Sequence, residues 1–182
     1  MTLSTEDANL YYKLWFPVLD YVNKKYGINE ELKQIAGAEE LDPNDVKVVA
    51  NKLWEDVAVI DEYLAEHADG LPEEHRTIVE GWKRRVSGRF VLERHLKKGS
   101  VFISMEDEKV YLVSGINSSW EEMFFYRPAP IMMQATLIPF KNVIISDGLV
   151  MPYNIMIGRN IAREFKDIYM TAKKSGELVK TL

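Results

Sequence analysis

The chain has 182 residues, 47% hydrophobic and 28% charged, with a formal net charge of −5 and no cysteine. This is the composition of a folded protein with material for one good core or two small lobes, not of a disordered tail or fibre. The negative charge argues against whole-protein attraction to nucleic acid or an anionic membrane, and without cysteine there is no disulfide, thiolate nucleophile or cysteine-based zinc site.

The first residues are polar and acidic, not a basic stretch followed by an apolar core. No apolar run approaches the ~18 residues needed to span a bilayer. The richest, Ile131 to Phe140, contains Gln134, Thr136 and Pro139. The expectation is a soluble cytoplasmic protein with no membrane partner, a compartment that the missing cysteines also fit.

The first half has helical periodicity. Ser4 or Thr5 caps a helix with Glu6 and Asp7 in its first turn and Leu10, Leu14, Trp15, Val18, Leu19 and Val22 on one face. Pro17 lies inside that pattern and predicts a kink or a break into two pieces. Lys24 and Lys25 before Gly27 give the stop. A short second helix is expected from Asn29 to Gly37. Asp42-Pro43 opens a third, in which Val46, Val49, Leu53, Val57, Ile60 and Leu64 predict one amphipathic helix of about six turns ending near His67. After the Gly70-Leu71-Pro72 turn a fourth helix carries Ile78, Val79, Trp82 and Val86, antiparallel to the third.

Ser87-Gly88 ends the helical pattern. Arg89 to Leu96 alternates, with Phe90, Leu92 and Arg94 on one side and Val91, Glu93 and His95 on the other. Turns at Lys98-Gly99 and Glu106-Asp107-Glu108 separate further strands at Val101 to Met105 and Val110 to Ile116. Ser118 with Glu121 predicts a capping box for a short helix around Trp120, and Pro128-Ala129-Pro130 an extended connector. Met132 to Ile138, Val143 to Ile145 and Leu149 to Ile157 are three more strands, with Lys141-Asn142 and the hairpin signal Asp147-Gly148 as turns. Asn160 caps a last helix bearing Ile161, Phe165, Ile168, Tyr169 and Ala172. The fold class is α+β: an N-terminal helical lobe (1–87), then an antiparallel curled sheet or small β-barrel with a C-terminal helix (88–182), as two lobes or one integrated domain.

The run LIPFKNVIISDGLVMPYNIMIG, starting at Leu137 and followed at once by a helix, resembles a segment of an uncharacterised bacterial protein family of unknown function. Some members carry a cysteine-rich metal-binding tail, which this cysteine-free chain lacks. The resemblance covers about the last third of the chain, supplies no catalytic residues, and implies a bacterial, soluble origin.

No phosphate-binding glycine loop, nucleophile elbow or zinc-protease helix motif is present. His67 and His75 flank the Gly70 turn beside Glu66 and Glu74, and His95 stands apart on a strand, so no metal or other cofactor is expected. Acids crowd the stretch from Glu55 to Glu80, where Glu55, Asp56, Glu62 and Glu66 fit a solvated helix face, and Asp147 fits a turn. The densest positive charge is Lys83, Arg84, Arg85, Arg89, Arg94, Lys97 and Lys98 against Glu93 alone. Those residues are candidates for binding nucleic acid or another polyanion, with Trp82 or Phe90 stacking on bases. Cation placement at a helix end and a strand turn, and neutralisation by the upstream acids, explain them without a ligand. Phe124, Phe125 and Tyr126 either close one end of the barrel or present a surface for a protein partner or self-association. The expected function is a non-catalytic interaction or regulatory module. The alternatives are polyanion binding through residues 83–98 and an enzyme with a carboxylate-based site.

Overall fold

The computed structural model describes residues 1–30, 32, 35, 42–67 and 70–182. The chain divides into two units, Glu6–Lys83 and Met1–Thr5 with Arg84–Leu182. The division falls inside the basic strip, between Lys83 and Arg84.

The first unit is helical. Helix α1 (Thr5–Tyr26) runs unbroken through Pro17, where a kink or a break was expected. The lost backbone hydrogen bond is outweighed by burial on both sides of the proline: Leu14, Trp15, Val18 and Leu19 are all in the core. Trp15 stacks on Trp54 at 5.4 Å and meets Trp82 edge-on at 5.4 Å. Helix α2 (Pro43–Glu55) starts where Asp42 accepts a hydrogen bond from the Asn44 N–H. The single six-turn helix expected here is two, because α2 stops at Asp56 and α3 (Val59–Glu66) begins afresh. The short helix expected between Asn29 and Gly37 falls largely outside the described residues. Helix α4 (Glu73–Gly81) ends in a 3-10 turn at Trp82–Arg84, so Val86 opens a strand and does not extend the helix.

The second unit is built on strands β1 (Val86–Leu96), β2 (Gly99–Ser104), β3 (Val110–Val113), β4 (Ile131–Phe140), β5 (Val143–Ser146) and β6 (Met151–Pro152), with helices α5 (Trp120–Met123) and α6 (Arg159–Ser175). The order β1-β2-β3-β5-β4 closes on itself because β4 also pairs with β1. The result is a five-stranded ring, the small barrel. Strand directions can alternate all the way round only if their number is even, so a five-stranded ring must contain one parallel pair. That pair is β3 with β5, joined at Val113 and Ile144, and it corrects the expectation of a wholly antiparallel sheet. The other ring pairs are antiparallel.

The seam is narrow, and both chain ends fill the edge of β3 beside it. Val179 exchanges backbone hydrogen bonds with Val110 and Leu112, and Met1 and Leu3 bond to Gly115. Phe90, Leu92, Phe102, Trp120, Met133 and Leu137 pack the barrel interior. Val91, Val101, Ile103 and Val110, on the opposite face of β1–β3, are covered by Phe165, Tyr169 and Ala172 of α6.

Three local expectations shift. Arg94 does not share a face with Phe90 and Leu92, because a bulge between Leu92 and Arg94 changes the parity of β1. The capping box belongs to Ser119 and Glu122, one residue later than expected. The strand expected over Leu149–Ile157 shortens to Met151–Pro152, and Asp147-Gly148 is no hairpin turn, since β5 and β6 each pair with β4. Among the described residues no helix is long and apolar enough to cross a membrane.

Candidate functional site

The basic strip is divided between the two units. Lys83 lies in the helical unit, 2.6 Å from Asp61 and 3.6 Å from Glu80. Arg89 pairs loosely with Glu106 at 3.6 Å, and Arg94 with Glu93 while lying 4.5 Å over the Tyr169 ring. Arg85 is half-buried. Among the described residues no ion pair joins Arg84, Lys97 or Lys98, all exposed. Trp82 and Phe90 are fully buried in different units, which removes both as stacking platforms for bases. The outer face of β1–β3 lies beneath α6.

The aromatic run divides residue by residue. Phe124 is buried and stacks nearly parallel on Trp120 at 6.3 Å, so it belongs to the barrel core and presents nothing to a partner. Phe125 and Tyr126 are turned out, 84% and 67% exposed, with their rings edge-to-face at 5.6 Å. The next residue, Arg127, donates to the backbone carbonyl of Ile155. That bond ties the aromatic loop to β6 and the segment after it, where Met151, Tyr153 and Ile155 are exposed and Met156 is 99% exposed. The segment is anchored on its other side, where the Tyr153 N–H donates to Met132. Two chain stretches almost thirty residues apart thus bring aromatic, methionine and isoleucine side chains to one region of the barrel surface.

Met151, Ile155 and Met156 were not among the residues singled out from sequence. Their segment alternates well enough to pass for a buried strand, and only the absence of a second pairing partner distinguishes it. The signal that was available is composition, since Leu149 to Gly158 holds no charged residue.

In the helical unit, a cleft of about 1000 Å³ is lined by Asp20, Tyr21, Lys24, Lys25, Glu66 and His67 among others. The Tyr21 hydroxyl donates to Glu66 Oε1 at 2.7 Å, and that hydrogen bond pushes the phenol up to about 12. Tyr21 is therefore held as a neutral donor. Glu62 pairs with Lys25, and Asp56 accepts from Tyr26 at 2.8 Å. His67 Nδ1 donates to the Tyr63 carbonyl at 2.8 Å and its ring stacks on Tyr63. Among the described residues the carboxyls whose pKa moves clearly, Asp107 and Glu122, both move down, chiefly through the hydroxyls of Ser104 and Ser119, the wrong direction for a general acid near neutral pH. Asp147 is buried at its turn and accepts from the Leu149 N–H at 3.0 Å. Among the described residues no three His, Asp or Glu side chains come together as metal ligands.

No family model, curated protein or solved structure matches this chain.

Proposed function

We propose that this chain is a non-catalytic interaction module of a bacterial cytoplasm, and that it holds a protein partner on the barrel surface around Phe125, Tyr126, Ile155 and Met156. The observation that carries this reading is the Arg127–Ile155 bond, which gathers side chains from two separate segments into one exposed apolar region. Isolated apolar residues at a surface are ordinary, but an assembled group of aromatics and methionine has the make-up of an interface core. Methionine adapts its shape to a partner, and rigid aromatic rings anchor it with little entropy cost.

The test is site-specific photo-crosslinking. A benzophenone amino acid at position 125 or 156 is expected to capture a defined partner in the host, and the purified pair is expected to bind only with Phe125 and Met156 intact. Crosslinks that the Phe125→Ser variant leaves unchanged at position 156, or none at either position, would remove this reading.

The second reading, polyanion binding at the β1–β2 turn, is supported by the exposed Lys97 and Lys98 there, which no ion pair joins among the described residues. It predicts salt-dependent retention on RNA or DNA that a Lys97→Glu, Lys98→Glu variant loses. Elution at low salt with no such loss rejects it.

A further inference from the structure

Sulfur chemistry in this chain is confined to methionine, since the sequence holds eight methionines and no cysteine. An oxidant such as hydrogen peroxide therefore meets thioethers alone, and it reaches them according to their exposure. The fold separates them widely on that scale. Met133 is fully buried in the barrel core, whereas Met156 is 99% exposed and the next most exposed, Met151, reaches 56%. Both of these lie between Leu149 and Gly158, a stretch without a charged side chain. Met156 directly follows Ile155, whose carbonyl accepts the hydrogen bond from Arg127. The most accessible sulfur of the molecule thus belongs to its exposed apolar surface.

We infer that Met156 is a reversible oxidation site, and that its sulfoxide weakens what the apolar surface holds. This rests on the reading of that surface as a protein-binding site. In the step, the thioether sulfur attacks one peroxide oxygen and the O–O bond breaks as the S–O bond forms. The departing hydroxide takes up a proton and leaves as water, so sulfur is oxidised and peroxide reduced. A flexible apolar side chain becomes a polar, chiral one. A partner that covers Met156 must then strip water from the S–O dipole, which costs affinity unless a donor meets it. Reductases specific for methionine sulfoxide return the thioether, which makes the change reversible. Folding is left intact, because a side chain in open solvent lends no packing to the core.

The full chain is treated with dilute hydrogen peroxide and each methionine is followed by mass mapping. Met156 is expected to oxidise about tenfold faster than Met133, and ahead of Met151. On a phenyl resin, which reads exposed apolar surface, the oxidised chain is expected to elute earlier and sulfoxide reductase to restore its retention. Met156→Leu keeps the apolar volume without the sulfur, so its elution is expected to shift less. A chain carrying the benzophenone amino acid at position 125 is then oxidised, freed of peroxide with catalase and added to host extract. Its crosslinks are expected to fall about fivefold from their untreated level, while those of the Met156→Leu chain keep to their own untreated level. Crosslinks that persist with Met156 oxidised overturn the inference and leave the interaction surface standing. No crosslink before peroxide overturns the reading beneath it, and the inference with it. Oxidation of another methionine ahead of Met156, equal losses in the Met156→Leu chain, or a lowered thermal midpoint on oxidation also overturns the inference.

Discussion

Glu93 and Arg94 are consecutive residues of one strand, yet their side chains lie on the same side of it, with Arg94 Nη2 2.7 Å from Glu93 Oε1. Neighbours on a regular strand point to opposite faces. The bulge in β1 removes that restriction, leaving Glu93 as the extra residue against β2. Its side chain is only 7% exposed and its ion-pair partner is Arg94, whose guanidinium also lies over Tyr169. Arg94→Met keeps most of the aliphatic stem and strands the carboxylate. The expected loss is about 1–3 kcal/mol in urea unfolding near neutral pH. Adding Glu93→Gln is expected to restore part of it, and a double variant as unstable as the single one would contradict the pairing.

Burial lowers the pKa of His95 below its ordinary 6.5, against a smaller opposing pull from Glu121. Below 6.5 the unfolded chain takes up a proton that the folded one resists, so stability falls with acidification. The decline ends once the pH passes beneath the depressed folded value, and above 6.5 the contribution is complete. His95 Nδ1 also lies 2.9 Å from Ser100 Oγ, an interaction that glutamine preserves in kind. Urea midpoints measured from pH 5 to 7.5 are expected to slope less for His95→Gln than for the parent chain.

Ser119, not Ser118, is the helix cap, so Ser119→Ala is expected to cost about 1 kcal/mol and Ser118→Ala about half that or less. Nearby, a methyl group on Gly115 would sit 2.0 Å from the Ser118 carbonyl oxygen, a backbone atom that cannot swing aside. Gly115→Ala is expected to cost about 3 kcal/mol, read as a lowered thermal midpoint. An unchanged midpoint would mean that the turn after β3 differs from the one described.

Tyr169 is buried beneath Arg94 and Lys173, against the outer face of the sheet. Tyr169→Ala is expected to cost about 3–4 kcal/mol and to raise the binding of a hydrophobic dye, since Val91, Val101 and Ile103 lose their cover. A stable variant that binds no dye would show that α6 is dispensable to that face.

Much of the architecture was legible because turns are written in local chemistry. Lys98-Gly99, Glu106 to Glu108 and Lys141-Asn142 each separate strands where the residues said they would. Helix continuity was less readable. The apolar spacing from Val46 to Leu64 carries on past Asp56, although the backbone there leaves the helical region. At Pro17 the opposite happened, since a buried tryptophan cluster that no local window contains overrides the proline. The candidate surface was half legible: three consecutive aromatics were conspicuous, but which of them turns inward depends on Trp120. Its other half, beyond β6, depends on the Arg127 bond, a contact between segments far apart in sequence.

The parallel seam gives the barrel a clasp. Between Val113 and Ile144 the ring is held by a single ladder position and the Ser114 N–H to Ile144 bond of 2.8 Å, while every other junction is an extended antiparallel ladder. A cuff fastened at one point can loosen there and leave its fabric whole. Native-state hydrogen exchange is therefore expected to release the Ser114 amide, with those of Leu112 and Val179, in openings far smaller than global unfolding, and the β1–β2 and β1–β4 amides only when the whole unit comes apart.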